Sequence, residues 1–306
     1  MEKILIGNES SLLSSRLIYG CMRIVGDNTP SDRAKGKRAI QAAIDAGYTH
    51  FDHADIYGST ECERLFGELL QETPSLREKI LLTSKAGIRP KRNNTDYAPT
   101  RYDFSKTYLI ESVNGSLQRL GTEQLDLFLL HRPDYLMDIE EVAETFALLK
   151  ASGKVKHFGV SNFSTAQVSA LRSAMVMPLV TNQIEINIHN INSLLDGSLE
   201  QCQQYNISPI AWCPLGGVAY PAWGNTFTAD DEQRISIELT QQANNYHCEQ
   251  WQIMLAWLIK HPANILPIVG STTPERIVSA TKALEINYSR EDWYRLLEAR
   301  NGESVP

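Results

Sequence analysis

Apolar and polar residues along this chain fall into short runs of period two followed by longer runs of helical period. Lys3 to Ile6 and Leu12 to Ile18 flank the polar GNESS and predict a β-hairpin ahead of the main fold. Beyond it, strand-like runs end near Gly20, Asp52, Lys85, His131, Ser161, Gln183, Trp212 and Val269, and each leads into a helical pattern. Helix-end signals agree. Asp138 with Glu141 and Ser164 with Gln167 have capping-box spacing, while Gly121 and Gly153 stand where a C′ glycine closes a helix. Eight β-then-α units with apolar strands (LDLFLL, ISPIAW, ILPIVG) predict an α/β fold, a closed (β/α)8 TIM barrel filling residues 1–306 as a single domain. An open doubly wound sheet is the alternative, but nothing like GxGxxG or a P-loop follows the first strand. The intervals from Lys85 to His131 and from Trp212 to Val269 are long. Residues 88–104 and 214–230 within them, rich in Gly, Pro, Asn and Tyr, predict extended loops after strands 3 and 7, on the face where pockets form.

Composition narrows the function classes. With 42% hydrophobic and 21% charged residues, the chain is neither disordered nor fibrous. A net charge of −7 and the lack of any Lys/Arg block argue against nucleic acid or an anionic membrane as partner and leave a small molecule. No apolar run approaches the ~18 residues of a membrane span, so neither an anchor nor a signal peptide is expected. The five cysteines (Cys21, Cys62, Cys202, Cys213, Cys248) are scattered and lack CxxC spacing, as befits reduced thiols in the cytoplasm.

The candidate chemistry centres on Thr49 to Gly58, THFDHADIYG, where an apolar run stops in Asp52, His53, Asp55 and Tyr57. A barrel brings Asp52 and Tyr57 to the same rim as Lys85, which ends LLTSK, and His131, which ends LDLFLLH. A Lys just after an apolar strand needs a carboxylate, and Asp52 one strand away supplies it. A nearby ammonium favours phenolate, so Lys85 is expected to lower the pKa of Tyr57 by about 1 to 3 units from about 10. His131 would orient a substrate oxygen or assist the proton. Such a device serves a carbonyl that is protonated as its carbon is attacked, and it needs a reducing cofactor from elsewhere. The histidines show no metal-ligand spacing, and no nucleophile elbow is present.

FDHADIYG, SKAG, LLHRPD, GVSNF, TNQIE, AWCPLGG and VGSTTPERI, in this order, resemble the aldo-keto reductase superfamily, most closely its bacterial YdhF-like branch. The resemblance covers nearly the whole chain. It implies a (β/α)8 barrel that binds NADPH (NADP+) in an extended pose and reduces an aldehyde or ketone, with Tyr57 as general acid and Lys85, Asp52 and His131 as its partners. It further implies that Ser161, Asn162 and Gln183 hold the nicotinamide amide, that Trp212 stacks on its ring, and that Cys213 and Leu215 line the pyrophosphate path. Amide and hydroxyl groups at strand ends suit a carboxamide, and an indole suits a flat ring. Read alone, GVSNFS is also a strand end before a helix cap, and Trp212 a core residue. With Thr273 as N-cap and Pro274 at N1, Gly270, Ser271, Thr272 and Arg276 gather at a helix N-terminus suited to the 2′-phosphate.

This sequence departs from the family in several places. Many members carry a lysine within the segment matching Gly270 to Thr272 and an acid-amide pair where Ser279 and Ala280 stand here, and both absences weaken the NADP preference. His53 replaces a small hydroxyl residue and is expected to make a structural hydrogen bond. Met22, Arg23, the two long loops and the segment around Trp293 and Tyr294 are expected to wall the substrate pocket. Aromatics there suggest an apolar carbonyl compound, whereas Arg23, Arg89 and Lys91 leave room for an acidic one. Two other functions fit the same residues: an NADPH-binding redox-sensing subunit with little turnover, and a lyase using Lys85 as a Schiff base, which pairing with Asp52 disfavours. A monomer is the expectation from the family.

Overall fold

The computed structural model describes residues 1–9, 11–91, 98–216 and 228–306. The expected loops after strands 3 and 7 therefore fall partly outside the described residues, at 92–97 and 217–227.

The hairpin forms first: strands β1 (Lys3–Leu5) and β2 (Leu13–Ser15) pair antiparallel. Eight parallel strands follow: β3 (Ile18–Gly20), β4 (His50–Asp52), β5 (Leu81–Ala86), β8 (Leu125–Leu130), β9 (Val155–Ser161), β10 (Leu179–Glu185), β11 (Ser208–Trp212) and β12 (Leu266–Val269). They close into a barrel in chain order, β12 pairing with β3. The predicted strand ends at Gly20, Asp52, Ser161, Trp212 and Val269 are the observed ones, and the others lie within two residues. The closed sheet, and not the open one, is what these runs build.

Two apolar layers hold it together. Alternate residues of the strands, including Ile18, Leu127, Leu129, Ile210, Leu266 and Ile268, fill the barrel, and Ile6 and Leu12 beside the hairpin plug its floor. The second layer lies between strands and helices, where Phe128, Phe146 and Phe158 pack on one another. Burying each such side chain is worth roughly 1.5–3 kcal/mol.

Helices α1 (Pro30–Asp45), α2 (Glu61–Glu72), α3 (Lys106–Leu120), α4 (Ile139–Ala151), α5 (Thr165–Ala174), α6 (Ser198–Tyr205) and α9 (Pro274–Ala280) return the chain between strands or after β12. The seventh unit has two helices, α7 (Ala229–Asn245) and α8 (Gln250–Ile259), and α10 (Arg290–Asn301) ends the fold. Ser164 and Gln167 form the full capping box, and Gly121 closes α3 with φ 63°. Asp138 caps α4 alone, because Glu141 accepts instead from the Lys106 backbone N–H.

Two expectations change. The segment 88–104, read as loop, contains a ribbon of β6 (Ile88–Arg89) and β7 (Arg101–Tyr102), since two-residue strands leave no periodicity to detect. Trp293 does not wall the pocket. Its ring stacks on Trp257 of α8 at 4.9 Å, and each indole N–H donates to the other residue's carbonyl, which clasps α10 to the outer helix layer.

Candidate active site

The β4 to β5 ladder continues beyond β4, with His53 N–H donating to Thr83 O and Asp55 N–H to Lys85 O. This carries residues 52–57 along the mouth of the barrel. Directly after Tyr57 the backbone turns through three left-handed residues, Gly58, Ser59 and Thr60, at φ 54°, 53° and 81°. A Cβ on Gly58 would meet Val25 Cγ2 at 2.5 Å, so both the conformation and the space call for glycine.

The four residues predicted for chemistry converge. Lys85 Nζ donates to Asp52 Oδ1 and Oδ2 at 2.8 and 2.7 Å and to His53 O at 2.8 Å, with the lysine side chain wholly shielded from solvent. Gln183 Nε2 donates to Asp52 Oδ1 at 2.9 Å. On the other side of the ammonium, Lys85 Nζ lies 5.0 Å from the Tyr57 ring centre and within hydrogen-bonding reach of its hydroxyl. The Tyr57 ring meets that of His131 edge to face at 5.8 Å.

Charges follow from this packing. Burial works against the Lys85 ammonium, but Asp52 first and Tyr57 next outweigh it and hold its pKa above the ordinary value. A lysine held charged in this way is a poor Schiff-base nucleophile. The expectation for Tyr57 is corrected: its pKa is raised, because burial exceeds the pull of Lys85. The phenol therefore keeps its proton. Burial, with Lys85 and Arg132, pushes His131 well below the usual imidazole range, so its ring is neutral. Its Nδ1 is buried without a hydrogen-bond partner.

His53 makes neither a substrate contact nor the expected hydrogen bond. Both ring nitrogens are buried and unpartnered, and the ring packs edge-on against Phe66 at 4.8 Å. Burial and Lys85 lower its pKa to about 3. Sequence inspection did not single out Asp55 chemically: its Oδ1 is buried without a partner, and burial together with Glu63 raises its pKa to about 7.

The expected nicotinamide groups sit together but are bonded to one another. Ser161 Oγ donates to Gln183 O at 2.9 Å; Asn162 Nδ2 donates to Ser161 Oγ at 2.9 Å; Trp212 Nε1 donates to Asn162 Oδ1 at 2.8 Å. Asn162 thus fixes the Trp212 ring. Beyond β11, Asn187 Nδ2 donates to Cys213 O and pins the turn that ends at Gly216, with Leu215 partly exposed on it.

Arg23 lies elsewhere than expected, on the Gly270 side: its Nη1 is 3.5 Å from where a Gly270 Cβ would be, and its charge lowers the Cys213 thiol pKa against burial. Met22 is exposed at the rim. Ser271 takes the capping role expected of Thr273, its Oγ accepting from Thr273 N–H, while Thr272 is half-buried and Arg276 exposed. Ser279 accepts from Gln252 Nε2 through its backbone and side-chain oxygens, so it supports α9 from behind. Among the described residues, no group of three or more His, Cys, Asp or Glu side chains is arranged to hold a metal ion, and no helix is long and apolar enough to cross a membrane.

The family model for the aldo/keto reductase family matches residues 16–301. The chain belongs to the aldo/keto reductase family. It is 39% identical to the oxidoreductase YdhF of Escherichia coli strain K12, over 95% of each chain. It is 38% identical to a 6-dehydroglucose reductase of Agrobacterium fabrum, over the full length of both. Among solved structures, an aldo/keto reductase from Klebsiella pneumoniae in complex with NADP and acetate superposes with a TM-score of 0.77 at 26% identity, covering 97% of this chain and 94% of that one. This aldo/keto reductase is thus an oxidoreductase by family.

Proposed function

We propose that this protein reduces an aldehyde or ketone to an alcohol with NADPH as reductant, and that Tyr57 donates the proton. The observation that carries the reading is the buried row Asp52, Lys85, Tyr57, in which the lysine is held charged while the phenol stays protonated. A carbonyl oxygen at the mouth meets the Tyr57 O–H and a ring N–H of neutral His131. Both strengthen as negative charge builds on that oxygen. When Tyr57 gives up its proton, the Lys85 ammonium steadies the phenolate, and Asp52 keeps Lys85 in place.

The residues present fit the cofactor. Arg23 beside the bare Gly270, and Arg276 in the first turn of α9, are cations suited to its phosphates, and the indole face of Trp212, held by Asn162, suits a flat ring. Ser161, Asn162 and Gln183 would recognise its carboxamide by exchanging some of their mutual bonds. Bound NADPH supplies the hydride to the carbonyl carbon. The NADP in the Klebsiella relative supports this choice, and the 6-dehydroglucose reductase supports a sugar-derived aldehyde as substrate. One chain supplies every group named, so a monomer suffices, and five unpaired cysteines favour the cytoplasm. NADPH oxidation against a panel of aldehydes and ketones tests the reading. Wild-type protein should consume NADPH with some of them, and Tyr57→Phe should bind NADPH equally well yet lose turnover; equal turnover in that variant overturns it.

A further inference from the structure

Arg132 directly follows His131, and its guanidinium carbon lies 5.6 Å from the Trp212 ring centre. It is half-buried, and among the described residues it makes no hydrogen bond and no ion pair within 4 Å. Arginine carries five N–H donors in a fixed fork, so a partly buried one facing only an indole has donors to offer. Glu185 lies close by. Two residues beyond Gln183 on β10, it faces the same side of the strand, and its carboxylate accepts from Asn187 and Asn190 and feels the charge of Arg132. The strand register sets Glu185 beside Trp212. A fixed donor, a fixed acceptor and an aromatic ring therefore stand together at the mouth, next to the two groups proposed to hold the carbonyl oxygen.

We infer that Arg132 and Glu185 are specificity-determining residues that select a polyhydroxylated carbonyl compound by bonding its hydroxyl groups. The inference rests on the carbonyl-reductase reading above and names its substrate class. A hydroxyl both donates and accepts. It can take an N–H from Arg132 and give its own hydrogen to Glu185, or a vicinal pair can bridge the two, while the C–H face of such a chain lies on Trp212. An anionic substrate would satisfy Arg132 but meet the Glu185 carboxylate. An alkyl aldehyde would leave both polar groups without partners. The apolar substrate suggested by sequence is therefore the poorer match.

The test compares D-erythrose, butanal and succinic semialdehyde with wild type, Arg132→Met and Glu185→Gln. A hydrogen bond to a charged group corresponds to a loss of about 10- to 100-fold when removed. Arg132→Met should raise KM for D-erythrose by about that factor while kcat, and both constants for butanal, stay within about threefold. Glu185→Gln keeps an acceptor oxygen and should lose less. Arg132→Lys, charged but without the fork, should recover only part. Unchanged NADPH affinity and circular dichroism would exclude a folding or cofactor effect. Equal losses for D-erythrose and butanal, or a loss confined to succinic semialdehyde, overturn the inference. If wild type reduces no carbonyl, the reductase reading falls by itself. Calorimetric titration with D-glucitol still decides this one: binding weakened in Arg132→Met supports it, and identical isotherms overturn it.

Discussion

Asp52 and Lys85 form an ion pair, 2.7 Å between Nζ and Oδ2, in a place where the lysine has no solvent exposure and the aspartate almost none. Two charges so placed stabilise each other only as a pair. Removing one leaves the other stranded. Asp52→Asn is expected to cost about 3–5 kcal/mol in urea unfolding, with Asp52→Asn/Lys85→Met recovering much of it. Should the single variant prove as stable as the double, the pair is not the buried unit described.

The raised pKa of Tyr57 and the depressed pKa of His131 fix the shape of the pH profile. Reduction needs the protonated phenol, which persists to higher pH than a free tyrosine, and a neutral imidazole, which is already present below the usual histidine range. The kcat/KM for reduction should be flat from about pH 6 to about pH 8 and fall on the alkaline side. A limb near the ordinary histidine pKa that disappears in His131→Gln would contradict the neutral assignment.

Asp55 gives a pH effect on stability. Its pKa is raised from 3.8 to about 7, first by burial and then by Glu63, against the opposing pull of Arg119 and of hydrogen bonds from Ser112 and the Ile56 backbone. The folded protein prefers the neutral acid. Its favourable contribution is complete below pH 3.8 and is lost as pH rises towards 7. Asp55→Asn should therefore gain on wild type between about pH 5 and about pH 8, by up to about 4 kcal/mol. Melting curves of the two proteins across that range decide it, and parallel curves refute it.

Arg276 is exposed in the first turn of α9, so its attraction to a phosphate is screened by salt. Arg276→Met should weaken NADPH binding about tenfold at low salt and leave NADH nearly unchanged. Equal losses for the two cofactors would remove Arg276 from the 2′-phosphate.

Much of this was legible in the sequence. Ser164 and Gln167, and Gly121, announced helix ends because caps are made within a few residues. The rim position of Asp52, Lys85 and His131 followed from strand ends, because a parallel barrel points them all one way. The ribbon at 88–89 and 101–102 was too short to leave a period, and the Trp257–Trp293 clasp joins helices far apart in sequence. Nothing local distinguishes Trp293 from a pocket aromatic. Arg132 and Glu185 were passed over for the same reason: each lies within a motif whose neighbours drew the reading, and their nearness depends on barrel closure.

By itself, the sequence determined the periodicity, the caps and the residue types available at each strand end, all properties of a few consecutive residues. Only the tertiary structure decided the electrostatics. The Lys85 charge alone predicts a more acidic Tyr57, but the fold shields the phenol more strongly than the ammonium attracts its charge. His53, a residue able to make two hydrogen bonds, is left with none in its ring. Burial and pairing depend on what distant segments bring against a side chain, and neither is written at the position itself.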